Sequence, residues 1–581
     1  MALKKISPKK SIPKIKSSKK RKAKQKPTAQ ELEQKAFRKD VRTIFRNIGF
    51  IKVNSVSDKE FTFRGHTSDF DDVFIYENIF VFTEYTITKT NAISGHLKPK
   101  KLVYDEILKN KVEFIEFFES NFSTFKDTRD DIYNPAKCYV IILYCPKNSI
   151  DTVLKNNISE ISYFEYPTLM YFKSVSGAIK KSARFEIFNF LKLKNNQIGP
   201  AALSPAPTTS NNYHGSVLPE SHSNYKKGYK VVSFYVDPES LLTRSYVHRN
   251  DGWNDSSGLY QRMISNSKIL SIRRYLNDSE RVFINNIIVT LPESTKILDD
   301  KSNTINPASI SSTVPATIQI PLEYNVVGII DGQHRVFSYH EGGKFDEKIS
   351  RLRIKQNLLA TGIIYPATAK PMEKTKFEAN LFMEINSNQT SAKSDLKQAI
   401  SLILNPFSSE AIAKAVLNKL NNQGALQDVF ERHFYEKGKL KTSSIVSFAL
   451  KPIVKTSGSD SLFSAWSNTD KLTLVEKKDG DLLDQYVDYC TSEISIFFAA
   501  AKYNINNRRW TADKGEDDRV LTVTIINGFI ICLRKIIENK NLYKFKTYQS
   551  KFSNINSFDF SKYKSSQYSR MAEDLFVRYF S

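Results

Sequence analysis

Five consecutive residues, Asp331-Gly332-Gln333-His334-Arg335, put a carboxylate, an imidazole and a guanidinium on one short turn. Arg335 offers a planar donor fork suited to phosphate. His334 adds a donor that is charged or neutral according to its surroundings. Asp331 is suited to bind a sugar hydroxyl or a metal ion, or to cap a helix. A second set of reactive types lies far upstream. Asp69, Asp71 and Asp72 precede one apolar run, and Glu84 stands near the end of the next. At one end of a hairpin, Asp72 and Glu84 would supply the oxygen donors that hold Mg2+. Such an ion activates water and neutralises charge on a phosphodiester being cleaved. Lys89 and Lys98 follow, suited to hold the phosphate or orient the water, and His66 precedes the acids.

These residues need elements to position them. The turn needs the buried strand 326–330 before it and an amphipathic helix, 336–341, after it, closed by Gly342-Gly343. A glycine turn between strand and helix leaves N–H groups free at the positive end of the helix dipole, which makes an anion site. Asp72 and Glu84 need the paired strands 72–76 and 78–86, legible from β-branched and aromatic content. An amphipathic helix over 30–48, a strand at 61–64, helical periodicity over 102–118 and a buried strand at 139–144 complete an α/β domain over residues 29–198. Residues 199–226 are rich in Pro, Ser, Asn and Gly and read as a linker. A second domain, 227–408, contains a strand at 230–236, a helix at 259–277, a strand at 286–291, the turn, and helices over 374–404. Residues 409–581 read as mostly helical, with 520–533 as a core helix. There, Arg508-Arg509-Trp510 either stacks on a base or is a loop anchored by its Trp, and 544–564 mixes Lys with Tyr and Phe.

Composition bounds the partners. The 581 residues carry 86 Lys and Arg against 61 Asp and Glu, a formal charge of +25. That balance favours a polyanion, nucleic acid first and an acidic membrane surface second. Residues 1–28 hold twelve Lys or Arg, three prolines and no acid. They read as a disordered arm lying on phosphates. No apolar run reaches the ~18 residues of a spanning helix, and no secretory signal is visible. Cys138, Cys145, Cys490 and Cys532 lack metal-site spacing, which fits a reducing cytoplasm.

Over residues 36–150 the chain resembles the PD-(D/E)xK restriction-endonuclease-like family, in which an Asp is followed one strand later by Glu-x-Lys. Here the stretch is Asp72 … Glu84-Tyr85-Thr86, with Thr86 where the lysine is expected. The resemblance implies a Mg2+-dependent DNA endonuclease with Asp72 and Glu84 on the metal and Lys89 or Lys98 serving as the lysine. Over residues 228–405, four ordered motifs resemble the DGQHR-domain family of DndB-like proteins. They are Tyr260-Gln261-Arg262, 283–289, Asp331 to Arg335, and 382–386 with Gln389. That family is similar to the ParB/sulfiredoxin fold, an α+β domain. The resemblance implies that Gly332, His334 and Arg335 contact the triphosphate of ATP or CTP, with Gln333 in the same turn. Asp331 would shape the turn or approach Mg2+, and Gln261 and Arg262 would line the pocket. Asn386 and Gln389 would bond a ligand or cap a helix. Gln333 stands at the position of sulfiredoxin's reactive cysteine, so sulfinic-acid reduction is excluded.

The expectation is an α/β multidomain, DNA-associated protein. It would be a Mg2+-dependent endonuclease controlled by a nucleotide-binding domain, in DNA modification, restriction or phage defence. It would act as a homo-oligomer or with partners of a DNA-modification complex. The alternatives are a non-cutting DndB-like transcriptional regulator and an ATPase subunit of a DNA-modification complex.

Overall fold

The computed structural model describes residues 27–204, 208–249, 253, 261, 263–387, 394–433 and 435–581. Residues 1–26 of the basic arm, Tyr260, Arg262 and Gln389 lie outside the described residues. Helix α1 (Ala29–Asn47) starts at a reciprocal cap: the Thr28 hydroxyl accepts the Glu31 N–H, and the Glu31 carboxylate accepts the Thr28 N–H. Its apolar stripe of Phe37, Val41, Ile44 and Phe45 is buried.

The first sheet holds β1 (Ile51–Lys52), β2 (Asp72–Tyr76), β3 (Ile79–Thr86), β4 (Tyr139–Pro146) and β5 (Ser162–Tyr163), in that spatial order. β1, β2 and β3 are antiparallel, whereas β3, β4 and β5 are parallel. Parallel neighbours need a crossover, and α2 (Thr90–Lys109) begins the one from β3 to β4. All eight residues of β3 are buried, with α1 covering one face and α2 and the helix Lys111–Asn121 the other. A strand covered on both faces has no polar side to alternate with.

Helices α3 (Tyr166–Ile179) and α4 (Arg184–Phe190) lead to an eight-stranded sheet. Its strands are β6 (Ser210–Val217), β7 (Lys230–Val236), β8 (Ser245–Tyr246), β9 (Ile287–Leu291), β10 (Lys296–Leu298), β11 (Val314–Pro321), β12 (Val327–Asp331) and β13 (Leu358–Ile364). The spatial order is β8-β12-β9-β13-β7-β6-β11-β10. The expected linker, 199–226, is corrected here: it contains β6, which pairs with both β7 and β11. Polar side chains and a glycine disguise this strand. A Cβ on Gly215 would stand 2.0 Å from the Ser233 carbonyl oxygen, so glycine is what lets β7 pass. The helix expected over 259–277 runs as α5 (Asn266–Ser279), followed by α6 (Gln333–Phe337) and α7 (Pro371–Ser387).

One apolar core joins the two sheets, with Phe74, Val81 and Tyr85 in the same cluster as Phe234, Ile287 and Val336. Residues 29–198 and 227–408 therefore do not hang as separate beads. The region 409–581 builds its own core from α8 (Ser409–Leu420), α9 (Gly480–Asn504), α10 (Val523–Glu538), α11 (Phe545–Lys551) and α12 (Tyr568–Tyr579). Trp510 is buried there, its indole N–H donating to the Ala425 carbonyl at 2.8 Å, which makes it the anchor of its loop. The whole is a mixed α/β multidomain chain. Among the described residues no single helix is long and apolar enough to cross a membrane.

Candidate active site

The hairpin register separates Asp72 from Glu84. Asp72 lies opposite Thr83. Glu84, one residue on, therefore points to the other face of the sheet. The two carboxylates expected to share Mg2+ do not meet. Asp72 is fully buried toward α1. It accepts from Arg42 Nε at 2.6 Å, Ser57 Oγ at 2.8 Å and the Tyr85 hydroxyl at 2.9 Å, with Lys52 Nζ at 3.0 Å. A carboxylate has about four acceptor positions, and this one spends them on the fold. Asp71 pairs with Arg38 and accepts the Tyr85 N–H at 2.6 Å. Burial pushes its carboxyl up to about 6, against the pull of that N–H and of Arg38.

The opposite face of the hairpin carries a different cluster. Lys100 Nζ lies 2.5 Å from Glu84 Oε1 and 3.0 Å from Asp69 Oδ1. His96, Lys100 and Tyr104 recur at four-residue steps, so α2 turns one face to the sheet. His96 Nδ1 is 3.0 Å from the Tyr144 hydroxyl, and Tyr144 is the β4 register partner of Glu84. The buried Tyr104 hydroxyl faces Glu84 and makes no hydrogen bond of good geometry. Glu84 is 2% exposed, whereas the Asp69 side chain is 40% exposed and opens the cluster to solvent. Burial pushes the Glu84 carboxyl up to about 8, with the Lys100 ammonium pulling the other way. Burial, then Lys100, holds the His96 imidazole below its ordinary value.

Lys89 and Lys98 are not part of this cluster. Lys89 is exposed at the start of α2. Lys98 is exposed two residues before Lys100, about 200° away around the helix. Thr86 turns its hydroxyl to Thr88 Oγ1 at 2.8 Å. The motif spacing pointed to Lys89 or Lys98, whereas the lysine that meets Glu84 and Asp69 is Lys100, which the four-residue period of His96, Lys100 and Tyr104 could have singled out. Among the described residues no group of three or more His, Cys, Asp or Glu is placed to hold a metal ion. The donors on offer are two carboxylates and one buried hydroxyl, all oxygen, which is the chemistry of a hard cation.

The five-residue turn is knit inward. Gln333, His334 and Arg335 lie inside α6, which ends at Phe337, so the expected helix at 336–341 begins earlier and is shorter. Five residues sum to little dipole, and the anion-site argument from a helix start fails here. Arg335 pairs with Asp331 at 2.8 Å. His334 Nε2 accepts the Ser265 N–H at 3.2 Å. Burial, then Lys268 and Arg249, lowers the His334 imidazole to about 4, so the ring is neutral. Gln261 is buried, donates to the Ile329 carbonyl at 2.6 Å and accepts from Gln333 at 3.3 Å. Asn386 sits inside α7, its amide donating to the Phe382 carbonyl at 2.8 Å.

A second residue that sequence reasoning missed is Arg249. It is 1% exposed and donates to the Tyr171 hydroxyl at 2.8 Å and to Glu186 at 3.2 Å. Its Nε lies 3.4 Å from Gln333 Oε1, and its buried Nη2 has no partner. It therefore ties the turn to α3 and α4 of the first sheet's layer.

Gly332 has φ 96°, and a Cβ there would stand 2.6 Å from Ile287 Cδ1. Left-handed backbone and overpacking add, so Gly332→Ala should cost about 2–4 kcal/mol. A urea midpoint unchanged by this substitution would show that the turn is looser than its geometry.

No protein-family model, curated protein or solved structure matches the chain.

Proposed function

We propose that this chain is a Mg2+-dependent DNA phosphodiesterase whose cleaving site is built from Asp69, Glu84 and Lys100. The observation that carries the reading is the lysine-bridged carboxylate pair at the end of β3, with the buried Tyr104 hydroxyl beside it. Within the first sheet, a helix, three antiparallel strands, a helical crossover and a parallel strand support a PD-(D/E)xK-like reading, with a separate hairpin (Phe61–Phe63 and His66–Ser68) between the first two strands. The lysine then comes from the crossover helix, not from the strand position held by Thr86. Mg2+ held by Asp69 and Glu84 would neutralise phosphate charge and supply an acidified water. Lys100 gathers the two carboxylates at one point and offers an ammonium to a phosphate oxygen. The net charge of +25 draws DNA in.

A proton and a metal compete for Glu84. With that carboxyl raised to about 8, the free carboxylate grows about tenfold per pH unit below that value and saturates above it. Cleavage should therefore rise with pH through about 8 and then level. A profile flat across that range would remove Glu84 from the chemistry.

A sensor role for ATP, CTP or DNA phosphate at the Asp331–Arg335 turn is proposed beside it, without a helix-start anion site to carry it. Its specific support is the buried, unpartnered Nη2 of Arg249 beside Gln333. The whole reading is tested by incubating the protein with plasmid and Mg2+, with and without ATP or CTP, beside Glu84→Gln and Lys100→Met. Cleavage lost in both variants supports the phosphodiesterase. Nucleotide hydrolysis without cleavage favours the ATPase subunit. Salt-sensitive DNA binding with neither activity favours the DndB-like regulator.

A further inference from the structure

We propose that the last helices of the C-terminal region form a sequence-independent docking face for the phosphate backbone of duplex DNA. The partner rests on the DNA-directed reading above, but the face stands on its own geometry. From Lys540 to Arg578 the chain carries eight Lys or Arg against three acids. All three acids are engaged within the fold. Asp574 accepts from the Tyr563 hydroxyl at 2.5 Å, Glu573 pairs with Lys535 at 2.5 Å, and Asp559 accepts the Ser561 N–H at 3.0 Å. Among the described residues, Lys540, Lys544, Lys546, Lys564 and Arg570 are exposed and form no ion pair.

Other cations of this stretch rest on a platform of rings. Tyr543, Phe580, Phe552, Tyr579, Phe558 and Tyr563 form a ladder of rings, each 5.2–6.4 Å from the next. Three cations lie over it. Lys551 sits 5.2 Å from the Tyr543 ring centroid and 5.7 Å from Phe580. Arg578 sits 5.6 Å from Tyr579 and 5.8 Å from Phe558. Lys562 sits 5.6 Å from Phe558 and 4.8 Å from Tyr563. The ladder therefore holds three cations, of which Lys562 also pairs with Asp574 at 3.5 Å.

Burial of the rings decides which nucleic acid fits. Phe552, Phe558, Phe580, Tyr563 and Tyr579 are all buried. They cannot stack on bases, as a single-strand platform requires. What remains is a row of cations for phosphates, which reads no sequence. A lipid surface fits less well. The exposed large apolar side chains in this stretch are Phe545 and Val577, not the continuous apolar face of an interfacial helix.

The test uses the full chain, a labelled mixed-sequence duplex and EDTA, so that cleavage does not enter. Binding is titrated against salt for wild type, for Lys544→Gln/Lys546→Gln/Lys564→Gln, and for a charge-matched control, Lys227→Gln/Lys477→Gln/Lys478→Gln. These side chains are exposed, and each variant is checked for folding by its thermal melt. The first triple should reduce the slope of log affinity against log salt by about 2.7 and weaken binding by ~10-fold or more at low salt. The control should do neither. The proposal is overturned if the first triple binds like wild type, if both triples lose equally, if wild type does not bind the duplex, or if phosphatidylserine vesicles are bound in its place. A chain that binds through this face but never cleaves with Mg2+ overturns the phosphodiesterase reading alone.

Discussion

Asp72→Ala should destabilise the chain by about 3 kcal/mol, whereas Glu84→Gln should leave it folded and stop cleavage. The contrast follows from the two faces of one hairpin. Asp72 is buried among Arg42, Lys52, Ser57 and Tyr85. Removing one partner of a buried ion pair strands the rest, a loss of about 3–5 kcal/mol. The lower figure applies because the Arg42 and Lys52 side chains are 39% and 32% exposed and keep access to water. Glu84 affects stability through its proton. Its folded value of about 8 stands above the ordinary 4.5, so the folded state holds a proton that the unfolded state releases between those values. The stability from that proton is present below about 4.5 and is lost as pH rises through about 8. A glutamine imitates the protonated side chain at every pH, so Glu84→Gln should lose no stability above about 8. Urea midpoints measured beside cleavage per folded molecule separate the two. An Asp72→Ala protein that is stable but inactive would return Asp72 to the chemistry.

The second large effect is expected at Arg249. Arg249→Ala removes a fully buried guanidinium that bonds Tyr171 and Glu186 on one side and Gln333 on the other, and stacks over Phe337. Glu186 keeps the Trp253 indole at 3.1 Å and the Tyr171 hydroxyl, but its countercharge is gone. The expected loss is about 3–5 kcal/mol. Because one core spans both sheets, wild type should unfold through residues 29–404 in a single transition, and the variant should unfold in two. Arg249→Lys should not restore the single transition, because a lysine head cannot bond three partners as a planar fork. A variant that unfolds in one step at the wild-type midpoint would show that Arg249 fills space without joining the layers.

Much of the local structure was legible in the sequence. Val73 to Tyr76, Ile79 to Thr86, Lys230 to Val236 and Ile287 to Leu291 are strands because β-branched and aromatic residues pack well on a pleated, covered surface. The apolar spacing of α1 and α10 likewise announced helices. The turn after β12 was visible from Gly332, since that backbone needs a residue without a Cβ. The acids of the first sheet were also visible as a cluster, though not the way they divide.

Tertiary structure decided which of these residues work together. Asp72 and Glu84 parted because Asp72 pairs with Thr83, and a one-residue difference in register moves a side chain to the other face. Lys100 joined Glu84 because α2 packs its His96–Lys100–Tyr104 face on the sheet. β6 hid in a loop-like composition because its neighbours, not its own residues, require Gly215. Arg249 reached Gln333 from 84 positions away. Propensity and capping act over a few residues and are written along the chain. Register and helix docking are set by burial between distant segments, and that is where this protein chose its candidate site.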